Sequence, residues 1–559
     1  MSYLKPDDNR LLFLPLGGSG EIGMNLNLYG HRGRWLMVDC GMSFADPGTP
    51  GIDLIFPDVG FIDEERDTLA AMVLTHGHED HIGAVAHLWP RLRCPVYATP
   101  FTAALVREKL AEAGLADQVT LHEVTPGQRL DIGPFGVTYI PLAHSIAEGH
   151  GLAIETGQGT LFHTGDWKLD ETPLIGPACP SVPLKALGDK GVLSLVIDST
   201  NVFNAKTSGS EAGVRDALDR LVGGLTGRVV ITTFASNVAR LATIGAVAKA
   251  HDRHLVLMGR SMHRVLKAAR ETGYLADFPP LVDEEDAASL PPEKLLIACT
   301  GCQGEPRAAL ARIARDEHRH VHLSPGDTVI FSSKIIPGNE TTLGSLFNML
   351  ALREIDVITE KDAPIHVSGH PGREDLERMF AWIRPKTAIP VHGEARHLRR
   401  HAQFASELGV AHALAPRNGQ IIDIRPDGLE VVDEAPHGRL ALDGRRIVPL
   451  DHDSLVERRR LMVQGLVIVS LVIGDDGALA AEPGLSLHGL PTPHGAAPLI
   501  DSLIDETEQA LDRMDPSGRL SDGRVEEAAR IAIRRFCRRD LGKNPVVDVL
   551  ICRQEDIEF

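Results

Sequence analysis

The sequence predicts an α/β protein built in three parts, and three observations carry that expectation. Short apolar strands end repeatedly in polar loops: Met72-Val73-Leu74 before Thr75-His76, Gly136 to Ile140 before His144, and Thr160-Leu161-Phe162 before His163-Thr164-Gly165-Asp166. From 208 to 362 strands alternate with helices, which predicts a doubly wound, mostly parallel sheet. Beyond about 450 a strand pattern followed by two helices reads as a small α+β domain.

The elements follow in order. Leu11 to Leu16 leads into Gly17-Gly18-Ser19-Gly20-Glu21-Ile22-Gly23, which contains a literal G-x-G-x-x-G. A dinucleotide fingerprint needs a helix directly after its glycines. Here Met24, Leu26 and Leu28 alternate with Asn25, Asn27 and Tyr29, so the glycines join two strands of a hairpin. In the middle segment a helix near 211–223 precedes the strand 228–233, a helix over 239–250, the strand 255–258 and a helix from Met262. The strand 295–298, a helix over 307–315, the strand 328–331 and a helix over 342–351 complete the alternation. Farther on, Glu457-Arg458-Arg459-Arg460 precedes a strand over 466–473 and a turn at Gly474-Asp475-Asp476-Gly477. The first C-terminal helix, about 498–514, sets Leu499, Leu503, Ala510 and Leu511 on one face, and the next carries Arg530, Arg534, Arg535, Arg538 and Arg539.

With 57 Lys and Arg against 76 Asp and Glu, the 559 residues carry a net charge of −19. An acidic chain repels a polyanion unless positive charge is concentrated locally, which excludes a passive nucleic-acid coat. At 43% hydrophobic and 24% charged the composition is globular. The start MSYLKPDDNR lacks a signal-peptide stretch and no run of about 18 apolar residues is present, so a soluble cytoplasmic protein without membrane contact is expected. The seven cysteines, Cys40, Cys94, Cys179, Cys299, Cys302, Cys537 and Cys552, are scattered and form no disulfide framework. Cys299 and Cys302 read as a buried strand end more than as a metal or redox pair.

His76-Gly77-His78-Glu79-Asp80-His81 is the most informative stretch. Residues two apart in an extended loop point the same way, so His76 and His78 can grip one ion while Asp80 and His81 turn to a second. Imidazole with carboxylate suits zinc, manganese or iron better than calcium. Two ions need further ligands, and His144, Asp166 and His392 each follow an apolar run. Taken alone, each of these is better read as a surface or supporting residue; joined to the first motif they become the expected set.

On these residues the sequence resembles the metallo-β-lactamase superfamily. That resemblance implies an αββα sandwich in which His76, His78 and His144 hold one zinc, Asp80, His81 and His392 the other, and Asp166 bridges. It makes Asp39 the superfamily's early aspartate, a support for a ligand histidine; by position alone a strand-end turn serves equally well. His392 comes 226 residues after Asp166, too far for one uninterrupted fold, so the βα segment is expected as an insertion with the site in the cleft. This is similar to the β-CASP branch, whose motifs match Asp198 in Asp198-Ser199-Thr200-Asn201, His370 in His366-Val367-Ser368-Gly369-His370, and His392 in Val391-His392-Gly393-Glu394. More narrowly, the glycine loop, Thr75 to Gly83, Phe234-Ala235-Ser236-Asn237 and Gly301 to Pro306 resemble the bacterial ribonuclease J family. Asp198, where relatives often carry Glu, and Pro371, where they often carry a small residue, depart from the pattern.

The expected boundaries are 1–207 and 363–449 for the two parts of the metallo-β-lactamase domain, 208–362 for the insertion, and 450–559 for a linker and C-terminal domain. The resemblance implies two zinc ions per subunit, with manganese or magnesium as alternatives, and catalytic roles for Asp80, Asp198 and His370. It places Ser236, Asn237, His366, Ser368 and His370 on the 5′-monophosphate and first nucleotide of an RNA substrate, so that the enzyme runs 5′ to 3′ and also cuts internally. It further implies a homodimer or homotetramer and RNA-degradation partners. Independently, Ser236, Asn237, Arg260, Ser261, Gln303, Ser332, Ser333 and Lys334 follow strands of the inserted sheet and are expected to line a phosphate-binding rim. The rivals are a DNA nuclease of the same branch, a hydrolase of thioesters or other small substrates, and a non-catalytic scaffold. For the arginine-bearing last helix, a solvated face or subunit contact is favoured over RNA binding.

Overall fold

The computed structural model describes residues 4–46, 48–178, 181–336, 338–492 and 495–554; Cys179 lies outside them. The chain packs as two compact units, Met1–Ser43 with Ile55–Arg439, and Phe44–Leu54 with Leu440–Phe559.

The first unit contains two large sheets packed face to face. One has eight strands, in the order Gly428–Glu434, Gln420–Arg425, Leu12–Gly17, Leu26–His31, Arg34–Val38, Leu69–Val73, Val96–Ala98 and Leu121–Glu123. The other has seven: Arg129–Ile132, Phe135–Pro141, His150–Thr156, Gly159–His163, Ser194–Asp198, Thr387–Val391 and His412–Ala413. Between them lies a core of Phe13, Tyr29, Val38 and Val73 against Val137, Ile154, Leu161, Val196 and Ile389. Alternate residues of the same strands, Phe162, Leu195, Ile197 and Ala388, point the other way into Leu184, Met379, Phe380 and Phe404 of the covering helices. Strands buried on both faces therefore read as continuous apolar runs. The glycine loop joins antiparallel strands, with Leu14 opposite Leu28, as the alternation required.

Strands Ser194–Asp198 and Thr387–Val391 are parallel neighbours, so a long crossover must join them. That crossover contains a five-stranded, all-parallel sheet in the order His254–Met258, Leu295–Cys299, Val229–Thr232, Thr328–Phe331 and Asp356–Ile358. Its first strand in sequence is central, as in a doubly wound sheet. The expected helices are present as Glu211–Gly223, Val238–Ala250, Arg260–Glu271, Ala309–Ala314 and Glu340–Ala351. The last strand, Asp356–Ile358, is an addition to the sequence reading. Cys299 ends its strand fully buried and Cys302 lies just beyond; burial pushes both thiols up to about 12, which leaves them inert.

In the second unit Leu466–Ile473 is flanked by Gly484–His488, antiparallel, and Val546–Arg553, parallel. Leu503 and Leu511 of the helix Ala497–Asp512 and Val525, Ala529 and Ile533 of Asp522–Leu541 share a core with that sheet. Arg530 pairs with Glu526 and Glu527, and Arg539 with Glu506 and Asp540, on the solvated side of the last helix. The run Glu457–Arg460, given no element in the sequence reading, belongs to the helix Asp453–Gln464. No helix among the described residues is long and apolar enough to cross a membrane.

Candidate metal centre

The strand directions explain why the candidate residues meet. Gly159–His163, Ser194–Asp198 and Thr387–Val391 run parallel, and Phe135–Pro141 points the same way after two antiparallel steps. Their carboxyl ends share one edge, from which His144, Asp166, Asp198 and His392 project. Leu69–Val73 of the facing sheet supplies His76 and His78 from an extended loop, then the short helix Glu79–Ile82 turns Asp80 and His81 inward.

Among the described residues three groups of possible ligand atoms result, each within 4.8 Å of one another: His76, His78, His144 and Asp166 in the first, Asp80, His81, Asp166 and His392 in the second, and Asp166, Asp198, His370 and His392 in the third. In the first, Nε2 of His76 and Nε2 of His144 approach Nδ1 of His78 at 3.1 and 3.0 Å. In the second, Oδ2 of Asp166 is 3.2 Å from His81 Nε2, and Oδ2 of Asp80 is 3.3 Å from His392 Nε2. Asp166 is common to all three.

The atoms behind the rings decide which nitrogen faces the centre. Asp39 accepts His81 Nδ1–H at 2.7 Å and the Thr75 backbone N–H at 2.8 Å. It also accepts the Thr75 hydroxyl, whose oxygen lies 3.0 Å from His76 Nδ1. Asp39 reaches this position in the left-handed region, at φ 64°. His144 donates from Nδ1 to the Gly369 carbonyl at 2.6 Å, leaving Nε2 for the centre. Such partners fix tautomer and orientation of a ligand ring.

The electrostatics of the cluster set its rings and carboxylates against one another. Burial drives His76 and His144 below the ordinary histidine range and takes His78 to about 4. Burial opposes charge on His392 and His81 too, but Asp166 and its neighbours outweigh it, holding His81 high and His392 at about 10. The same histidines overcome burial to hold Asp166 well below the carboxylate range. Ring nitrogens packed against one another, as those of His76, His78 and His144 are, are poorly served by protons. An imidazole and carboxylate donor set of this kind fits zinc or a similar transition ion.

Beside the ligands, Asp198 Oδ2 accepts His370 Nδ1–H at 2.8 Å. Burial disfavours the charged His370 ring, but Asp198 and Asp166 override it and raise the pKa. The His370 side chain keeps 22% of its surface exposed while Asp198 keeps none, so the ring presents its free edge outward. Ser368 accepts the His370 backbone N–H at 3.1 Å. Burial, then the charges of Arg240, Lys334 and Lys168, depress His366 to about 3, and its buried Nδ1 has no partner.

The expected rim of the inserted sheet is only partly available. Ser236 is half-buried, and Arg260, Ser261 and Lys334 are exposed. Asn237 instead caps the helix Val238–Ala250, accepting from Arg240 N at 2.8 Å, and its amide reaches Glu211. Gln303 bonds the Lys334 carbonyl, Ile336 N and Asn339, while Ser332 and Ser333 donate to the Ile365 and Cys302 carbonyls. Those three side chains stitch loops together and are withdrawn from the rim.

Several participants escaped the sequence reading. Asn25 places Nδ2 3.0 Å from His81 Nε2; its place in the alternating hairpin hid this. Ser19–Gly20 pairs with Gly393–Glu394, so the glycine loop props the turn that carries His392. Gly41 sits where a Cβ would lie 1.7 Å from the Asp80 carbonyl; the glycine two residues after Asp39 was its visible signal.

Comparison with known proteins agrees with this architecture. The family model for the beta-lactamase superfamily domain matches residues 34–182, and that for the ribonuclease J beta-CASP domain matches 226–350. A Zn-dependent metallo-hydrolase RNA specificity domain matches 355–416, and a ribonuclease J C-terminal domain matches 454–554. A ribonuclease J of Sinorhizobium meliloti is 42% identical over 553 residues, 98% of each chain. One from Corynebacterium glutamicum is 37% identical over 97% of this chain and 76% of its own, and one from Thermus thermophilus 36% identical over 83% and 82%. A crystal structure of a protein of unknown function from Enterococcus faecalis V583 matches with a TM-score of 0.52 at 15% identity, covering 74% of this chain and all of that one, a likeness of fold alone.

Proposed function

The chain belongs to the ribonuclease J family and is a metal-dependent ribonuclease, and on that premise we propose that it binds two zinc ions, removes nucleotides from the 5′ end of 5′-monophosphorylated RNA and also cuts internally. One observation carries the reading: two ligand groups share Asp166 at the strand edge where the Asp198–His370 pair also stands. His76, His78 and His144 would hold one ion and Asp80, His81 and His392 the other, with Asp166 common to both. Bound there, the ions supply Lewis acidity toward water and the phosphodiester.

The chain's own groups do the rest. Asp39 and the Gly369 carbonyl keep the ring nitrogens of His81 and His144 aimed inward. His370, charged because Asp198 favours its protonated form, donates a proton to the departing 3′-oxygen as the phosphorus–oxygen bond breaks. Water supplies the new oxygen on phosphorus, so the shortened RNA again begins with a 5′-monophosphate. His366 and Ser368, with Ser236 and the backbone beside Asn237, receive that phosphate. The net charge of −19 keeps RNA off the rest of the molecule, where it meets neither the ions nor Lys334.

We assign 208–362 to the insertion and 450–559 to the linker and C-terminal domain, and propose that the latter joins subunits into a dimer or tetramer that works with RNA-degradation partners in the cytoplasm. Size-exclusion of a chain truncated near 450 should give a monomer; an unchanged oligomer removes that assignment. For the activity, 5′-monophosphorylated RNA and a matched DNA strand are incubated with wild type and His76→Ala. Nucleotide release from RNA alone, lost in the variant, is expected; equal release by both proteins would end the metal-hydrolase reading.

A further inference from the structure

Arg240 has none of its surface in water, in the helix that follows the central strand of the inserted sheet. Its guanidinium faces Glu211, itself buried: Nε lies 3.2 Å from Oε2, and Nη2 lies 3.1 Å from each carboxylate oxygen. An ion pair taken this far from water loses more in desolvation than attraction returns unless its other donors are also filled. Here they are filled by two segments, at Ser332 and at Ile365. Nη1 donates to the Ser332 carbonyl at 2.8 Å, to the Ser332 hydroxyl and to the Ile365 carbonyl at 3.0 Å. The Ser332 hydroxyl donates to the same Ile365 carbonyl at 2.7 Å.

Ile365 opens the segment that carries His366, Ser368 and His370. The far end of that segment is held beside the metal centre: the Gly369 carbonyl takes His144 Nδ1–H, and the His370 carbonyl accepts from Ser208 and Asn201. The segment is thus pinned at one end by the inserted sheet and at the other by the metal centre. Glu211, which orients the guanidinium, is itself tied back, since its backbone N–H donates to Asp170 at 3.2 Å. Only a planar fork of five donors spans Glu211 and two carbonyls at once; a lysine ammonium in the same place offers three donors from a single point.

We propose that Arg240 is a positioning residue for selection of the 5′ end: with Glu211 and Ser332 it sets where His366 stands, so its loss relaxes preference for a 5′-monophosphate before it slows hydrolysis at the metal centre. The inference rests on His366 belonging to the 5′-phosphate pocket. A purely structural role would lower stability and reduce all activities together.

Full-length wild type, Arg240→Lys and Ser332→Ala are compared on matched RNAs bearing a 5′-monophosphate or a 5′-hydroxyl, with bound metal and thermal melting measured for each. The monophosphate-to-hydroxyl ratio of kcat/KM should fall about tenfold in Arg240→Lys, the scale of one lost charge-assisted hydrogen bond, and by less in Ser332→Ala. The rate on 5′-hydroxyl RNA and the metal content should hold. A ratio that stays at the wild-type value, or equal losses on both RNAs, overturns the inference. If Arg240→Lys does not fold, Ser332→Ala, which retains the ion pair, decides by the same ratio. A wild type indifferent to the 5′ group refutes the phosphate-pocket reading, and the inference with it; a selective wild type with unchanged variants refutes the inference alone.

Discussion

Two strand edges in this molecule look alike in sequence and behave oppositely in space. Both the metal-domain sheets and the inserted sheet place polar residues just past apolar strands. At the metal edge those residues face one another: His76, His78 and His144 crowd their nitrogens, and His392 sets Nε2 against Asp80. At the inserted edge Asn237 caps the helix that follows it, and Gln303 and Ser332 bond carbonyls of neighbouring loops. A buried polar group is costly only while unsatisfied, so the first edge is held in readiness for a ligand and the second is largely finished structure. Polarity after a strand signals a loop; mutual frustration among such groups signals a site.

That contrast can be broken by measurement. The largest effect is expected at the residue both ligand groups share: Asp166→Asn should lower kcat by about 10³-fold or more, since several kcal/mol of charge stabilisation depend on the ions, with bound metal reduced on elemental analysis. An active, metal-replete Asp166→Asn would show that the two groups do not form one centre. His370→Ala should cost about 10²-fold or more in kcat, the range of a positioned acid, while metal content stays at the wild-type level. Asp39→Asn still fills its volume but weakens the hold on His81 Nδ1–H, and metal affinity should drop about 10- to 100-fold in a chelator competition.

Metal removal gives the pH test. In ion-free protein His392 has a pKa of about 10, above the roughly 6.5 of an unfolded histidine. Its stabilising contribution is therefore complete below about pH 6.5 and is lost as pH rises toward 10. Zinc-loaded protein, in which the ring needs no proton, should not share that loss. The gap in Tm between loaded and chelator-treated samples should widen from pH 6.5 to 9.5, and a gap that narrows would contradict the charge state assigned to His392. The smallest effect belongs to the finished edge: Asn237→Ala removes a helix cap and should cost about 1 kcal/mol of stability in a denaturant titration, with any larger loss on 5′-monophosphorylated RNA marking a direct role in binding.

Local patterns made much of this legible. Alternation in Met24 to Tyr29 placed a hairpin where the glycines alone suggested a nucleotide loop, and the apolar runs at 229–232, 255–258, 295–299 and 328–331 located four of the five inserted strands. Asp356–Ile358 was missed because it is short and only half-buried. The helix Asp453–Gln464 was missed because only Leu455 among its residues is buried, so it carries no apolar stripe. At the site, His76 to His81 stood out because their chemistry is concentrated in six consecutive positions, whereas Asn25 and the Gly369 carbonyl carry no residue-type signal.

The sequence by itself determined the class of the protein: the residues able to hold metal, the order in which strands present them, and the long insertion implied by the 226 residues between Asp166 and His392. Tertiary structure decided which polar groups were already satisfied and which ring nitrogen faced the centre. His144 takes its tautomer from a carbonyl 225 residues away, and Ser332 is withdrawn by one 33 residues away. Periodicity and composition act over a few residues, while hydrogen-bond satisfaction and desolvation depend on what the folded chain brings within about 3 Å.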